Sequence, residues 1–284
     1  MDREFAKDVR SHLLAAVLAV MAPAVSLADA DVTVSPTRIV FDGNTRKAQV
    51  SLINNSAAPK TYRISWSRKR LTESGRYEEV EQAQPGERFS DTMIRFSPRQ
   101  IVLPPGKPQA VRLLLRKPAD LEVGEYRSYL KFSAIPSGEE RSIEKVLKRD
   151  GRSVSIQLTP IMAVSIPVIV RHGDVDVAVS ISNLILNSGQ GQPKLAFNIE
   201  RSGNGSVYGD IEVRFVPANR SEEPLVIGQH TGVSVFPPLA RLQYQIPLQL
   251  PAGRHLGAGT IEVTYRERAN GGGGKILARA SLSV

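Results

Sequence analysis

The sequence predicts an all-β protein made of two β-sandwich domains, and three observations lead to this fold class. From Asp31 onward the apolar residues recur with a period of two, which is typical of half-buried antiparallel strands. Each apolar run closes at a Gly, Pro, Asn or Asp residue, and no interval gives a helix period. At 284 residues the chain is long enough for two ordinary domains, each with its own hydrophobic core.

The composition removes several classes of function. There is no cysteine and there are only four histidines, which excludes thiolate chemistry and disulfide bonds and argues against histidine-rich metal sites. We therefore expect no metal and no cofactor. The formal net charge of +9 is compatible with nucleic acid, an anionic membrane surface or acidic protein partners, and the charge alone does not choose among them.

Residues 1–30 have the pattern of a secretory signal peptide. Three basic residues precede an apolar run from Leu13 to Val25, and Ala28 and Ala30 offer small side chains at the cleavage-determining positions. The run spans 13 residues, fewer than the about 18 that a membrane-crossing helix needs, although nearby acidic residues keep an N-terminal anchor as the alternative. No later segment is long and apolar enough to span a membrane, so we expect an exported protein without stable membrane insertion.

The first predicted domain covers residues 31–171, with seven or so short strands before residue 136. The apolar runs that define these strands contain the following residues: Val32, Val34 and Ile39 to Phe41; Ala48, Val50 and Leu52; Tyr62, Ile64 and Trp66; Phe96; Ile101 to Leu103; Val111, Leu113 and Leu115; and Tyr126 to Ile135. Turn residues recur about every ten residues, which favours a sandwich of immunoglobulin type. Trp66, the only tryptophan, is interpreted as a core residue between the sheets, and the charged segment from Lys69 to Arg88 as a solvated hairpin.

The second predicted domain covers residues 172–284 and repeats this pattern. Its apolar runs are Val175 to Ile185, Leu195 to Ile199, Ile211 to Val216, Leu225 to Ile227, Leu242 to Leu250, Thr260 to Tyr265 and Ile276 to Val284. Gly173 is predicted as the hinge between the domains, and Gly271 to Gly274 as the tip of a hairpin.

A charged stretch and a long alternating run do not fit a plain sandwich. Residues 137–150 are predicted as a loop that is longer than a sandwich hairpin requires. From Ser153 to Val170 the apolar positions keep a single parity, which predicts one strand of nearly twenty residues. At about 3.3 Å per residue such a strand is roughly 60 Å long and must extend beyond the sandwich.

Two interpretations of this strand are open. Either it crosses both domains, or its overhanging edge pairs with another protein by β-augmentation. In the second case the side chains that enter the partner's apolar groove are those of Val154, Ile156, Leu158 and Met162. The same exposed edge could also support self-association.

Several motifs together resemble the periplasmic chaperones of chaperone-usher pilus assembly. The motifs are residues 35–41 (SPTRIVF), residues 97–98 (SP) with 103–106 (LPPG), Val111 to Leu113, residues 125–136 ending in Ala134-Ile135-Pro136, and the alternating strand that runs into Val168 to Arg171. The resemblance covers most of the mature chain and is more specific in the first domain. It implies two immunoglobulin-like domains set at an angle, a periplasmic location, and partners that are pilus or fibre subunits and an outer-membrane usher.

The resemblance also assigns roles to individual residues. Arg38, preceded by Thr37, is implied to lie in the cleft between the domains and to bind the terminal carboxylate of a subunit, for which a guanidinium offers a planar pair of donors. From the residues alone, a surface arginine in an edge strand is the alternative. Arg171 and Glu125 are implied to form an interdomain ion pair, with Glu267 as a candidate for a third acidic member.

One position departs from the pattern of the family. Its chaperones carry a second cleft cation, a lysine, four residues before the arginine that matches Arg171, and this chain has Pro167 there. No lysine or arginine occurs from Ser153 to Val170. Either another cation takes its place, or Arg38 and backbone groups hold the carboxylate alone, or the clients of this chain differ.

No catalytic motif competes with this interpretation. The glycine-rich stretch before Lys275 lacks the Ser or Thr of a phosphate loop, and aromatic residues make up only 6% of the chain, which argues against nucleic acid as a partner. We therefore expect no enzyme but a chaperone that caps subunits by donor-strand complementation and delivers them to an usher. The alternative is a secreted structural or adhesive sandwich protein, such as a fibre subunit or a carbohydrate-binding module.

Overall fold

The structure is a computed structural model of the chain. It describes residues 32–136, 161–189, 191–219, 221–251, 256–268 and 274–284, and in addition the backbone of residues 143–149 and 152–158. The described residues form twenty β-strands and a single 3₁₀ turn, so the predicted all-β fold is confirmed. The predicted signal peptide at residues 1–30 and most of the predicted hairpin tip at Gly271 to Gly274 lie outside the described residues.

The first half of the chain forms one sandwich. Its strands are β1 (Val32–Ser35), β2 (Ile39–Phe41), β3 (Lys47–Asn54), β4 (Lys60–Ser67), β5 (Lys69–Leu71), β6 (Tyr77–Glu79), β7 (Ile94–Ser97), β8 (Gln100–Leu103), β9 (Pro108–Leu115) and β10 (Gly124–Ile135), with the 3₁₀ turn at Asp91–Met93. They are followed by β11 (Ile143–Arg149), β12 (Arg152–Leu158) and β13 (Ala163–His172). One sheet has the order β1-β3-β9-β7 and the other β2-β13-β10-β4-β8, and the two pack around the first core.

The first core follows from the period-two pattern of the sequence. On β3 the side chains of Val50 and Leu52 are fully buried, whereas Gln49 beside them is exposed. On the facing sheet Leu130 and Phe132 are also fully buried. Burial of each such side chain contributes roughly 1.5–3 kcal/mol, so alternating apolar residues hold the sheets together in a chain that has no disulfide.

Trp66 packs against the first core, but it is not one of the buried residues of that core, which corrects the prediction in part. Its side chain is only partly buried at the margin of the first core, where its ring meets Phe96 edge-on with 5.6 Å between the ring centroids. The large rings that are buried in the core are those of Phe41, Tyr62 and Phe132. An alternating pattern identifies the inward face of a strand but not how close each position lies to the centre of the core.

The first apolar run of the mature chain is divided between the two sheets. β1 pairs antiparallel with β3 in one sheet, and β2 pairs parallel with β13 in the other. The chain crosses between the sheets at residues 36–38. Arg38 consequently precedes the first residue of β2, Ile39, which pairs with Val168 of β13.

The predicted strand from Ser153 to Val170 is not continuous. β12 ends at Leu158 and β13 begins at Ala163, and Ile161 and Met162 have no strand conformation. Counting apolar parity alone does not reveal where a strand ends, so it overestimates the length of this one.

Residues 143–149 form a strand and are not part of a long loop, contrary to the prediction. β11 pairs antiparallel with β12, from Ile143 opposite Leu158 to Arg149 opposite Arg152, and the two strands make a sheet of their own. Charged and apolar residues do not alternate regularly in β11, so its sequence lacks the usual signal of a strand. β11 is a strand because it pairs with the regularly alternating β12, and a local sequence pattern does not show which segment will be the partner of a strand.

The second half forms a second sandwich. Its strands are β14 (Val177–Asn187), β15 (Lys194–Gly203), β16 (Val207–Pro217), β17 (Leu225–Val235), β18 (Arg241–Pro247), β19 (Gly259–Glu267) and β20 (Ile276–Ser283). A three-stranded sheet, β14-β15-β18, and a four-stranded sheet, β17-β16-β19-β20, pack around the second core. Seven antiparallel strands divided in this way are the arrangement of an immunoglobulin-type sandwich, as predicted.

The boundary between the two halves is less simple than the sequence suggests. Leu71 and Ile169 of the first half pack into the second core, so the predicted division after Arg171 and the predicted angle between the domains stay predictions. Gly173, the predicted hinge, has a φ of +65° and a Cβ built on it would meet Val123 at 2.7 Å. A side chain at this position would therefore strain the link between the sandwiches.

The hairpin of β5 and β6 joins the two sandwiches. Leu71 at the end of β5 is buried in the second core, and at the hairpin tip the carbonyl of Glu73 accepts a hydrogen bond of 2.8 Å from the backbone N–H of Gln243 in β18. Arg70 pairs at 2.7 Å with Glu87, whose side chain is only 2% exposed. The predicted hairpin is therefore present and most of its residues are exposed, but Leu71 and Glu87 are buried, so the segment is not solvated throughout.

Asp91 connects the 3₁₀ turn to β10 and predicts an effect of pH on stability. Its carboxylate accepts hydrogen bonds from Arg68 at 2.9 Å and from Ser128 Oγ at 2.8 Å. Burial alone would raise the pKa of Asp91, but these hydrogen bonds outweigh it and hold the pKa below its ordinary value. We expect Asp91→Asn to lower the free energy of unfolding at neutral pH by about 1–3 kcal/mol.

The contribution of Asp91 should disappear in acid. A depressed pKa stabilises the fold above the pKa of the unfolded state, and the stabilisation is lost as the pH falls through the folded-state pKa. Urea unfolding at about pH 7 and about pH 3 should therefore give a smaller difference between wild type and Asp91→Asn at the lower pH. The exposed Asp120→Asn is the matched control, and an equal difference at both pH values would contradict the prediction.

Candidate functional site

A cleft of about 320 Å³ lies between the two sandwiches. The first half lines it with Thr37, Arg38, Lys69, Tyr77, Tyr129, Ser165 and Pro167, and the second half with Tyr208, Gly232, Ser234 and Phe236. Two of these side chains are cations and four carry aromatic rings. The cleft is therefore a candidate for binding an anionic group that is attached to an apolar body.

Arg38 reaches across the cleft to the second half. Its guanidinium donates hydrogen bonds to Ser206 Oγ at 3.0 Å and to Ser234 Oγ at 3.4 Å, and it lies 4.7 Å from the ring centroid of Tyr208. Burial lowers the pKa of Arg38, and Glu125 opposes this in part. In the described part of the chain no carboxylate forms an ion pair with this guanidinium. A desolvated arginine whose partners are hydroxyls is suited to an anionic ligand.

Lys69 is the second cation of the cleft, and the sequence did not point to it. Its Nζ donates a hydrogen bond to Ser165 Oγ at 3.2 Å and lies 5.7 Å from the ring centroid of Tyr129. Pro167, where the family pattern has its lysine, lines the same cleft. Among the described residues Lys69 forms no ion pair either, so the cleft contains two cations without an acidic partner at either one.

The sheet order explains how Lys69 comes to lie beside β13. In the register of β10, Tyr129 is opposite both Ser67 of β4 and Pro167 of β13. The chain leaves β4 after Ser67 and continues into β5, which begins with Lys69. Lys69 and Pro167 are about a hundred residues apart in sequence, so only the pairing of β4, β10 and β13 brings them together.

Glu125 and Arg171, the predicted ion pair, lie together behind the cleft. Arg171 Nε is 3.2 Å from Glu125 Oε2, and the glutamate side chain is only 1% exposed. The same oxygen accepts hydrogen bonds from the backbone N–H and the hydroxyl of Ser206, at 3.1 and 2.8 Å. Since Ser206 Oγ also accepts a hydrogen bond from Arg38, one hydroxyl connects Arg38 to the ion pair.

The third member of this group is Asp42, which the sequence did not point to. It is the second acidic residue beside Arg171, at 3.8 Å, whereas Glu267, the candidate from the sequence, lies at the end of β19. Asp42 follows β2 directly, and β2 pairs with the end of β13 in parallel, which is a pairing that local sequence does not reveal. Thr37 is exposed at the mouth of the cleft.

One edge of β13 is unpaired beside Arg38. On the side that faces away from β10, β2 pairs only with Val168 to Val170. In the part of the chain that the structure describes, no strand pairs with Ala163 to Pro167 on that side. Free N–H and C=O groups along such an edge are a template for another strand, and this edge ends at the cleft.

The predicted groove residues belong to the segment before this edge. Val154, Ile156 and Leu158 lie in β12, of which the structure describes the backbone only. Met162 lies between β12 and β13 and is 65% exposed, and its neighbour Ile161 is 61% exposed. Two adjacent large apolar side chains in solvent are unusual and fit an interaction surface better than a core.

A second hollow, of about 830 Å³, lies on the sheet of β16 and β19. Its lining carries charges of both signs, with Arg214 paired to Glu212 at 3.1 Å, and it contains no aromatic ring. It therefore fits an anionic group on an apolar body less well than the cleft does.

No group of three or more His, Asp or Glu side chains among the described residues is arranged to hold a metal ion. No helix in the described ranges has the length and apolar character needed to cross a bilayer.

Comparison with known proteins finds similarity at the level of structure only. No family model matches the sequence, and no curated protein matches it. A chaperone and tip adhesion subunit complex from the archaic chaperone-usher Csu pili of Acinetobacter baumannii contains a chain with a TM-score of 0.43 and 14% identity, covering 89% of this chain and 98% of that one.

Two further solved structures are similar to the same extent. The CupB2 chaperone of Pseudomonas aeruginosa has a TM-score of 0.41 and 13% identity, with 88% of this chain and 98% of that chain covered. The DraB chaperone of E. coli has a TM-score of 0.41 and 13% identity, with 88% and 95% covered. The chain is thus similar in structure to solved chaperones of pilus systems, at low sequence identity.

Proposed function

We propose that the protein is a periplasmic chaperone of pilus or surface-fibre subunits. It binds the carboxyl-terminal segment of a subunit, completes the subunit's sandwich with a strand of its own, and delivers the subunit to an outer-membrane usher. It acts without catalysing a reaction and without a cofactor. The observation that carries this proposal is the position of two cations, Arg38 and Lys69, in the cleft at the end of the unpaired edge of β13.

The two cations are chemically suited to a terminal carboxylate. A guanidinium binds a carboxylate through two parallel hydrogen bonds, and an ammonium group adds a compact charge with three donors. The present partners of Arg38 are the hydroxyls of Ser206 and Ser234, and that of Lys69 is the hydroxyl of Ser165. A carboxylate in the cleft would be the first anion to pair with either cation, and Thr37 would lie at the entrance.

The position of the cleft also defines the direction of a bound strand. The free edge runs from Ala163 to Pro167 and ends beside Arg38. A chain whose carboxylate lies in the cleft and whose preceding residues pair with this edge must run parallel to β13. β2 already pairs with β13 in parallel, so a bound strand would continue that ladder in the same sense.

The residues before the free edge supply the apolar contacts of the proposed complex. Val154, Ile156, Leu158 and Met162 have the parity of one strand face in the sequence and would enter the incomplete sandwich of the subunit. Burial of four such side chains is worth roughly 6–12 kcal/mol before the costs of ordering and association. Stable but reversible capture is the expected result.

The periplasmic location and the usher rest on the sequence. Residues 1–30 have the charge, apolar run and small-residue site of a signal peptide. Delivery to an usher rests on the resemblance of the motifs at residues 35–41, 97–106 and 125–136 to chaperones that work with one.

Ile156→Asp tests whether the chain donates this strand to a subunit. Pilus subunits co-expressed with the wild-type chain should accumulate as soluble complexes, and Ile156→Asp should reduce this accumulation at least about tenfold, because a carboxylate cannot enter an apolar groove without a large desolvation cost. Val102→Asp is the matched control, since Val102 is 58% exposed on β8 and does not line the cleft. Equal accumulation with Ile156→Asp and wild type would refute strand lending at this site.

A further inference from the structure

The cleft concentrates aromatic rings that the binding of a carboxylate alone does not require. Four of the sixteen aromatic residues of the chain, Tyr77, Tyr129, Tyr208 and Phe236, line this one cavity. They come from both halves of the molecule, so the rings enclose the space around the two cations from opposite sides.

Three of the four rings already interact with the cations. Arg38 lies 4.7 Å from the ring centroid of Tyr208 and 5.5 Å from that of Phe236, and Lys69 lies 5.7 Å from that of Tyr129. Within the described residues no cation lies over Tyr77. Its ring meets the ring of Tyr129 edge-on, with 6.0 Å between the ring centroids, and the residue is 50% exposed. Tyr77 is therefore the aromatic surface that is left for a ligand.

The hairpin that carries Tyr77 is attached to both sandwiches. Tyr77 begins β6 and lies opposite Leu71, which is buried in the second core. The tip of the same hairpin is hydrogen-bonded to β18 through Glu73 and Gln243. A ring carried on a backbone that is anchored at both sandwiches is already in place when a ligand binds, which favours selectivity.

Resting on the proposed capture of a subunit's terminal carboxylate, we propose that the cleft selects the side chain of the subunit's last residue, preferring an aromatic or large apolar one, and that Tyr77 is the residue that contacts it. Aromatic rings pair edge-to-face with a favourable geometry beyond the burial of their area. A polar side chain would lose its hydration against the rings, and a basic one would be repelled by Arg38 and Lys69.

Peptides that differ only in their last residue test this selectivity. Fluorescein-labelled octapeptides ending in Phe, Leu, Ser or Lys, and a Phe peptide with a C-terminal carboxamide, are titrated with the purified protein and followed by fluorescence anisotropy. We expect the Phe peptide to bind about tenfold more tightly than the Ser peptide, with Leu between them and Lys weakest. Tyr77→Ala should reduce the Phe-to-Ser ratio to about two or less, whereas Tyr77→Phe, which keeps the ring, and the control Val102→Ala should preserve it.

The outcomes separate this inference from the proposed function. Equal affinity for the Phe acid and the Phe carboxamide would overturn the carboxylate site and, with it, the inference. If the Phe acid binds better than the Phe carboxamide, but the Phe and Ser peptides bind with equal affinity, the selectivity alone is overturned. A preference for Phe that survives Tyr77→Ala would show that another ring makes the contact and would overturn the role of Tyr77.

Discussion

Replacing Arg38 by alanine should nearly abolish the binding of a peptide with a free terminal carboxylate. Removing one partner of a desolvated charge pair costs about 2–5 kcal/mol, which is a loss of affinity of at least about thirtyfold. Lys69→Ala should have a smaller effect, about three- to tenfold, because an ammonium group binds a carboxylate as a point charge without the two parallel hydrogen bonds of a guanidinium. Lys69→Arg should retain binding, since the charge is kept.

The expected loss with Arg38→Ala is one of binding and not of folding. The guanidinium lies half-buried against Ser206, Ser234 and two rings and has no acidic partner among the described residues, so its removal relieves a partly desolvated charge. The free energy of unfolding should therefore change little, and Arg63→Ala, an exposed arginine on β4, is the matched control for affinity. Full affinity with Arg38→Ala in a folded protein would contradict the proposed site.

Replacing Glu125 by alanine should give the largest loss of stability. The glutamate is almost completely buried and accepts hydrogen bonds from Arg171 and from the N–H and hydroxyl of Ser206. Truncation leaves the two Ser206 donors without their acceptor between the two sandwiches, and it leaves Arg171 with only Asp42, at 3.8 Å, as an acidic partner. We expect the free energy of unfolding to fall by about 3–5 kcal/mol, as for other buried pairs from which one partner is removed.

Glu125→Gln distinguishes the charge from the hydrogen bonds. Glu125 Oε1 makes no hydrogen bond among the described residues, so an amide nitrogen can take its position while the remaining oxygen still accepts from Ser206. The loss should be smaller than with alanine. Urea unfolding measures the free energy of unfolding of both variants. Glu79→Ala is the control, because the side chain of Glu79 is 63% exposed and pairs with Lys131 at the surface. A loss with Glu125→Ala no larger than with Glu79→Ala would contradict the prediction.

The regular strands of this protein are predictable from sequence because one face of each is buried. Val50 and Leu52 in β3, and Ile261 and Val263 in β19, alternate with exposed or half-exposed residues and lie where the pattern indicates. The break between β12 and β13 is not predictable in this way, since the apolar parity continues through it. The strand β11 has no parity of its own, and only its partner defines it.

The candidate site is predictable only in part, and for a similar reason. Thr37, Arg38, Glu125 and Arg171 were identified because motifs around them resemble a known family, and Arg38, Glu125 and Arg171 are linked through Ser206. Lys69 and Tyr77 belong to a charged hairpin with no distinctive pattern. What brings them into the cleft is the pairing of β10 with both β4 and β13, together with the burial of Leu71 in the second core.

The contact between the hairpin tip and β18 has a consequence for aggregation. β18 is the last strand of a three-stranded sheet, and the backbone N–H of its Gln243 already donates a hydrogen bond to the carbonyl of Glu73. A foreign strand that added itself to β18 would have to lift the hairpin and expose Leu71. Because the same hairpin carries Lys69 and Tyr77, the addition of a strand to β18 would also disrupt the cleft. A polymer that grew through β18 would thus lose its ability to hold a client.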